Sequence, residues 1–366
     1  MTNMRIARLH EPGKPLRIDT VARPVPRPDD VLIEVKSCGV IPNMNAIFSG
    51  SLWNHLPPFP ASVGLDAAGV VAAVGENVVD VRVGDRVYVN PWLACGQCAY
   101  CRSHEPMLCS SAAFQGYFGF FPSSRRLLEA YPYGGFSQYM TAGVRRLAIL
   151  PPNLSFDLAA RFGYIGTSFA ALRTGHLAAG GWVAINGITG TLGVAATLLA
   201  LGMGATRILG FGRNKEILAR LESLAPNRIR TLSLEEQPLG DWIRGQTDGL
   251  GTDLLLDCSG RGAAAETTLD ALSGLKRAGR AVNIGALTER LAIEPIKFMT
   301  SRIQFAGSNW FTTGEAQLLA EMAGTGVLDL SHLETHAYPL NRVNEALEAV
   351  RKRPGGFVNI VVNPNA

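Results

Sequence analysis

Cys95, Cys98, Cys101 and Cys109 stand in the spacing C-x2-C-x2-C-x7-C. Thiolates so spaced can converge tetrahedrally on Zn²⁺, whose filled d shell accepts a closed cage of four sulfurs. Four protein ligands leave no open position, so such an ion would be structural and not catalytic. Reduced cysteines without metal and a disulfide pair are the alternatives. Four clustered cysteines out of six favour the metal in a reducing compartment.

The second stretch able to do chemistry runs from Gly181 to Lys215, GWVAINGITGTLGVAATLLALGMGATRILGFGRNK. It predicts a buried strand over Trp182–Asn186, a turn carrying Gly187, Gly190 and Gly193 as G-x-x-G-x-x-G, an apolar helix from about Thr191 to Leu201, and a second strand over Arg207–Phe211. Glycines in that place let a dinucleotide pyrophosphate approach the backbone at the amino end of a helix, where unpaired N–H groups and the helix dipole favour anions. Gly187, Thr189, Gly190, Thr191, Leu192 and Gly193 are therefore the expected cofactor cradle. Ile188 stands where the common G-x-G-x-x-G has its first glycine, so this turn should differ in detail; a tight turn without a ligand is the bland alternative.

Which dinucleotide is bound depends on the tip of the second strand. A site for NAD usually places a carboxylate there to accept from the ribose 2′-hydroxyl. Here the tip reads Gly212-Arg213-Asn214-Lys215, with two cations to hold a 2′-phosphate and no carboxylate to repel it, which predicts NADP(H). The same charges would also suit a solvated turn.

The chain as a whole sets limits. With 366 residues, 47% hydrophobic and 17% charged, it can bury substantial cores, and its length suggests two domains. A net charge of +4 is too small to imply nucleic acid. The amino terminus carries no apolar signal segment, and the longest apolar run, Val194 to Ala205, is too short to span a bilayer. A soluble cytoplasmic protein with a small-molecule substrate, and neither nucleic-acid nor membrane partners, is expected.

The elements that must position these groups follow in order. Residues 5 to 35 alternate apolar and polar positions around proline-rich turns, and Val31–Val40, Gly64–Gly75 and Val81–Val89 continue a β-rich pattern. Pro151-Pro152, with Asn153 and Ser155, marks a crossing; Phe156 to Arg173 should be helical. Asp253–Gly260 and Arg280–Ala286 read as buried parallel strands, the first ending in Cys258, read as a packed thiol. Asn341 is expected to cap a helix with Val343, Leu347 and Val350 on one face, before a strand over Phe357–Val362.

The ordered set VKSCGV, GLDAAGVVAAVG, VGDRVYV, a four-cysteine lobe and a nucleotide unit resembles the zinc-type medium-chain alcohol dehydrogenase/reductase superfamily over nearly the full length. The resemblance implies an α/β chain: a GroES-like β-rich catalytic domain over 1–154 and 309–366, its zinc lobe at about 91–112, and a Rossmann doubly wound parallel sheet over 155–308. It also implies a homodimer paired through the segment Gln304–Trp310, Thr167 on the nicotinamide side of the cofactor, and Ser259, Gly285 and Ala286 along its groove. Leu52, Trp53, Pro91 and Trp92 match positions near the substrate, and Phe114–Phe121 adds an aromatic cluster that serves as pocket wall or as packing.

The resemblance fails at the catalytic metal. The family's three ligand positions fall on Ile41, Leu65 and Gly163, none of which offers a donor atom; its Glu falls on Asp66, and its relay histidine on Ala46. The zinc-free quinone-oxidoreductase and enoyl-reductase relatives imply instead a reduction of a polarised C=C, or C=N, bond by NADPH. Candidate donors are Tyr164, beside the lost third ligand, Asn43 at the relay serine/threonine position, and Asn45. The competing readings are a carbonyl reductase or alcohol dehydrogenase without catalytic zinc, and a non-catalytic NADPH-binding protein.

Overall fold

The computed structural model describes residues 2–52 and 55–366. One body is a β-sheet ordered Leu147–Ile149, Arg86–Val89, Asp66–Val74, Asp30–Gly39, Val358–Asn363, Glu334–Pro339, with Tyr139–Gly143 also paired to Asp30–Gly39. All of its pairings are antiparallel except the last, Glu334–Pro339 with Val358–Asn363. Asp30–Gly39 is the central strand; Val31, Ile33 and Val35 alternate into a core shared with Val87, Val89, Ile360 and Val362. The carboxyl terminus thus returns to the first sheet, with Val361 opposite Gly39 and Val362 opposite Cys38.

The other body is a six-stranded, wholly parallel sheet ordered Ile229–Ser233, Arg207–Gly212, Trp182–Asn186, Thr252–Asp257, Leu275–Asn283, Gln304–Gly307. Its middle strands are buried on both faces, as Val183, Ala184 and Ile185 beside Leu254, Leu255 and Leu256 require of a sheet covered by helices on each side. The strand order reverses between Trp182–Asn186 and Thr252–Asp257. That reversal opens a crevice at the carboxyl ends of these two strands, the place where such sheets bind ligands.

Three local expectations need correction. The helix expected over Phe156–Arg173 is two helices, Phe156–Ala159 and Phe162–Thr174. Between them the Ala160 carbonyl is pressed onto Gly39, where an added Cβ would lie 2.3 Å from it, and Arg161 turns inward so that Nη2 donates to the Gly356 carbonyl at 3.2 Å. Asn341 lies inside a 3₁₀ turn, Leu340–Arg342, and the α-helix begins at Val343. The strand expected to approach Trp310 stops at Gly307, because Asn90 draws the chain away: Trp310 Nε1 donates to Asn90 Oδ1 at 3.0 Å, and Asn90 Nδ2 donates to the Phe311 carbonyl at 3.1 Å.

Candidate active site and cysteine lobe

The four lobe cysteines converge. Their sulfurs all lie within 4.8 Å of one another, against about 3.8 Å for the edge of a zinc–sulfur tetrahedron with 2.3 Å bonds. Backbone amides point at them: Gln97 and Cys98 N–H donate to Cys95 Sγ at 3.4 and 3.3 Å, and Cys95 and Ser111 N–H to Cys109 Sγ at 3.2 and 3.4 Å. Backbone amides of Cys101 and Ser110 hold the Cys98 thiol down at about 5. Converging thiols ringed by N–H donors fit a closed zinc site. Trp92 is buried, with its indole N–H donating to the Pro106 carbonyl at 3.0 Å, so it joins the lobe to the sheet.

The glycine turn sits in the crevice. Gly187 has φ +73°, and a Cβ on Gly193 would lie 2.4 Å from the Gly187 carbonyl, so neither position tolerates a side chain. Gly190 caps the helix Thr191–Gly202 without a side-chain acceptor, which leaves first-turn amides for an anion. Thr189 packs against Gly212, and its carbonyl accepts from Gly356 N–H at 3.0 Å, so the returning carboxyl-terminal segment borders the turn. On the far wall the Ser259 hydroxyl is buried without a hydrogen-bond partner among the described residues, while Ala286 N–H donates to the Ser259 carbonyl at 2.9 Å and a Cβ on Gly285 would strike it. An orphaned hydroxyl and a cradle that side chains would fill both suit a dinucleotide.

At the strand tip, Arg213 is exposed and makes no ion pair among the described residues. Lys215 lies 3.9 Å from Glu236, and Asn214 Oδ1 accepts from Ile217 N–H at 3.0 Å as the cap of the following helix. Thr167 is buried, and its hydroxyl donates to the Gly163 carbonyl one turn back at 2.7 Å.

The family's catalytic-metal position is filled as well as stripped of donors. Ile41 and Leu65 are buried apolar side chains. At Gly163 an added Cβ would lie 2.2 Å from Asp66 Oδ2 and 2.4 Å from Oδ1: the Asp66 carboxylate occupies the space a side chain at 163 would need. Asp66 Oδ1 accepts from the Tyr88 hydroxyl at 2.7 Å. Burial raises the Asp66 carboxyl to about 7, against the opposing pull of that hydrogen bond and of the Arg161 charge. Burial in turn lowers Arg161 to about 10, and raises the Tyr164, Tyr117 and Tyr88 phenols and the Cys38 thiol. The Arg161 guanidinium lies over the Tyr164 ring, 5.2 Å from its centre.

The other candidates scatter. Asn43 is exposed and starts the short helix Met44–Phe48 without a side-chain cap bond. Asn45 Nδ2 donates to the Leu347 carbonyl at 3.1 Å, which ties that helix to the last one. Leu52 is half-buried against the first core, Pro91 is buried, and Trp53 lies outside the described residues. Phe114, Tyr117 and Phe118 are buried, with Phe120 packed partly buried beside them. The sequence places Tyr117 in an aromatic cluster but does not by itself place Arg161 and Tyr88 beside Asp66. The replacement of Glu by Asp66 beside a glycine at 163 was the available signal.

A β-rich domain that receives the carboxyl terminus, a parallel nucleotide-binding sheet and a cysteine lobe together define a two-domain dehydrogenase. Residues 27–152 match the alcohol dehydrogenase GroES-like domain and residues 191–324 the zinc-binding dehydrogenase domain. The chain belongs to the zinc-type medium-chain dehydrogenase/reductase superfamily. It is 26% identical to the sorbitol dehydrogenase of Bacillus subtilis (strain 168), over 99% of this chain and 98% of that one. It is 28% identical to an alcohol dehydrogenase of Geobacillus stearothermophilus, over 95% and 96%. Among solved structures it resembles a protein described as a zinc-binding dehydrogenase from Sinorhizobium meliloti 1021, bound to NADP, with TM-score 0.84 and 23% identity over 100% of both chains. The protein is an NAD(P)-dependent oxidoreductase of this family, and among its described residues no helix is long and apolar enough to cross a membrane.

Proposed function

We propose that this enzyme uses NADP(H) to reduce an activated double bond, a C=C conjugated to a carbonyl or a C=N, in a bulky apolar or aromatic substrate, without a catalytic metal. The observation that carries this reading is the metal position itself: three residues without donor atoms, and a carboxylate seated where the third ligand would project. The bound nicotinamide supplies the hydride. A conjugated acceptor spreads the resulting charge onto its carbonyl oxygen, so neutral hydrogen-bond donors suffice where an isolated ketone would need a stronger acid. The Asn43 amide, exposed at the start of the helix Met44–Phe48, holds that oxygen. The Tyr164 hydroxyl gives its proton to the α-carbon, and water reprotonates the phenolate.

Arg213 and Lys215, with no carboxylate at the strand tip, support the phosphorylated cofactor, as does the NADP held by the S. meliloti neighbour. The cysteine lobe takes one structural zinc. The edge strand Gln304–Gly307, with Phe305, Ile296 and Met299 exposed on and beside it, pairs with its counterpart in a homodimer. A carbonyl reductase is the second reading, favoured by the sorbitol and alcohol dehydrogenases among the relatives.

The test is NADPH oxidation over a panel of enones, cyclic imines and the matching saturated ketones, with wild type and Tyr164→Phe. The reading expects enone or imine turnover to exceed ketone turnover, insensitivity to chelators, and a fall in kcat of about 10²-fold in the variant. Ketone turnover that a chelator abolishes would overturn it, and cofactor binding without any turnover would favour a non-catalytic protein.

A further inference from the structure

We propose that Tyr117 is a second hydrogen-bond donor to the substrate's carbonyl oxygen, in addition to Asn43, while Tyr164 supplies the proton to the α-carbon. This rests on the reading that the pocket reduces a carbonyl-conjugated bond.

Tyr117 is 4% exposed, and its hydroxyl has no hydrogen-bond partner among the described residues. A buried phenol ordinarily finds one, so an orphan calls for a ligand or an explanation. The contrast with Tyr88 is informative. Both rings are buried and both hydroxyls feel Asp66, but Tyr88 spends its O–H on Asp66 Oδ1 at 2.7 Å, whereas Tyr117 keeps its own.

The loop is fastened to the lost metal position. Gly64 N–H donates to the Gly116 carbonyl at 3.0 Å, one residue before Tyr117 and two before Asp66. Gly116 has φ +69°, and a Cβ there would lie 2.4 Å from the Gly64 carbonyl, so the close approach depends on glycine. The Tyr117 ring is held by Phe48, edge-on with centres 6.2 Å apart, and by Phe118 at 5.0 Å. After burial, the groups that most affect its hydroxyl are Tyr164 and Asp66, so the three lie near one another. Burial first, and these two neighbours after it, raise the phenol further above its ordinary value, so it stays protonated and can donate. A phenol held by its ring contacts and free of a competing acceptor among the described residues is the kind of donor an oxyanion site needs, set before charge develops.

The test uses 4-(dimethylamino)cinnamaldehyde, a conjugated aldehyde whose visible absorption moves to the red when its carbonyl is polarised. It is titrated into the full-length enzyme with NADP⁺ present, for wild type, Tyr117→Phe and Tyr164→Phe. The proposal expects a red shift on wild type that falls by at least about half in Tyr117→Phe, with the probe's Kd changed less than about threefold. Melting temperature should hold or rise, because the hydroxyl removed has no partner to lose. An undiminished shift in Tyr117→Phe overturns the proposal and leaves the wider reading standing. A loss of probe binding together with a lower melting temperature makes Tyr117 structural and also overturns it. A wild-type enzyme that neither binds nor shifts the probe defeats this inference and the reading beneath it.

Discussion

The cysteine lobe and the pocket around Asp66 are two metal positions of one family plan, and they have diverged in opposite ways. In the lobe, four sulfurs lie within 4.8 Å of one another and backbone amides point at them. In the pocket, the ligand positions are Ile41, Leu65 and Gly163, and a carboxylate fills the space at Gly163, bonded to the Tyr88 phenol and within the influence of the Arg161 charge. One position keeps four converging sulfurs that suit a metal cation. The other has become a buried acid with its own hydrogen bond. A metal site is therefore lost by refilling as much as by deletion, because the low-dielectric space left behind must be packed or neutralised.

Breaking the lobe should have the largest effect. Cys98→Ser with Cys101→Ser should abolish zinc binding and lower the melting temperature by on the order of 10 °C, since structural zinc binding is worth on the order of 10 kcal/mol. Metal analysis and a thermal melt check it, and a double variant that melts like wild type would remove the lobe from the account.

The pocket should give a pH signature next in size. Folded Asp66 titrates at about 7 against an ordinary 3.8, so between those values the folded chain binds more protons than the unfolded one. Stability from this group is full below about pH 4, is lost as pH rises toward 7, and is flat above, a total on the order of 4 kcal/mol. Urea unfolding from pH 4.5 to 8 should show that decline relative to Asp66→Asn, which keeps an acceptor for Tyr88; parallel curves for the two would contradict it.

Rebuilding a ligand sharpens the comparison. Gly163→Cys should cost about 2–3 kcal/mol, because its Cβ would meet the Asp66 carboxylate at 2.2 Å, and Asp66→Ala in the same chain should recover most of that loss. Additive losses in a denaturant-based double-mutant cycle would mean that the two residues do not compete for space.

Far from both positions, Arg213→Ala should weaken NADPH about tenfold and leave NADH within about twofold in a fluorescence titration. Equal weakening of both cofactors would detach Arg213 from the 2′-phosphate.

The two regions also differ in how far the sequence reveals them. The lobe and the glycine turn are local: Cys95 to Cys109 and Gly187 to Gly193 carry their chemistry in spacing alone, and the strand–turn–helix around the turn lies where its apolar pattern requires. The proposed loss of the catalytic metal is legible too, because Ile41, Leu65 and Gly163 fall at the ligand positions that the family resemblance implies. What replaced it is not. Asp66, Tyr88, Tyr117 and Arg161 come from segments spread over nearly a hundred residues, and only the folded chain brings them to one pocket. The break at Arg161 was hidden for the same reason, since the cause is the packing of Ala160 on Gly39.

Hydride transfer without a catalytic metal is tested most directly by one count, the zinc bound per chain in enzyme that is fully active with NADPH. It predicts one zinc, released only when the lobe cysteines are disrupted, and turnover that survives chelation of any further metal. Two zincs per chain, with activity following the second, would contradict it.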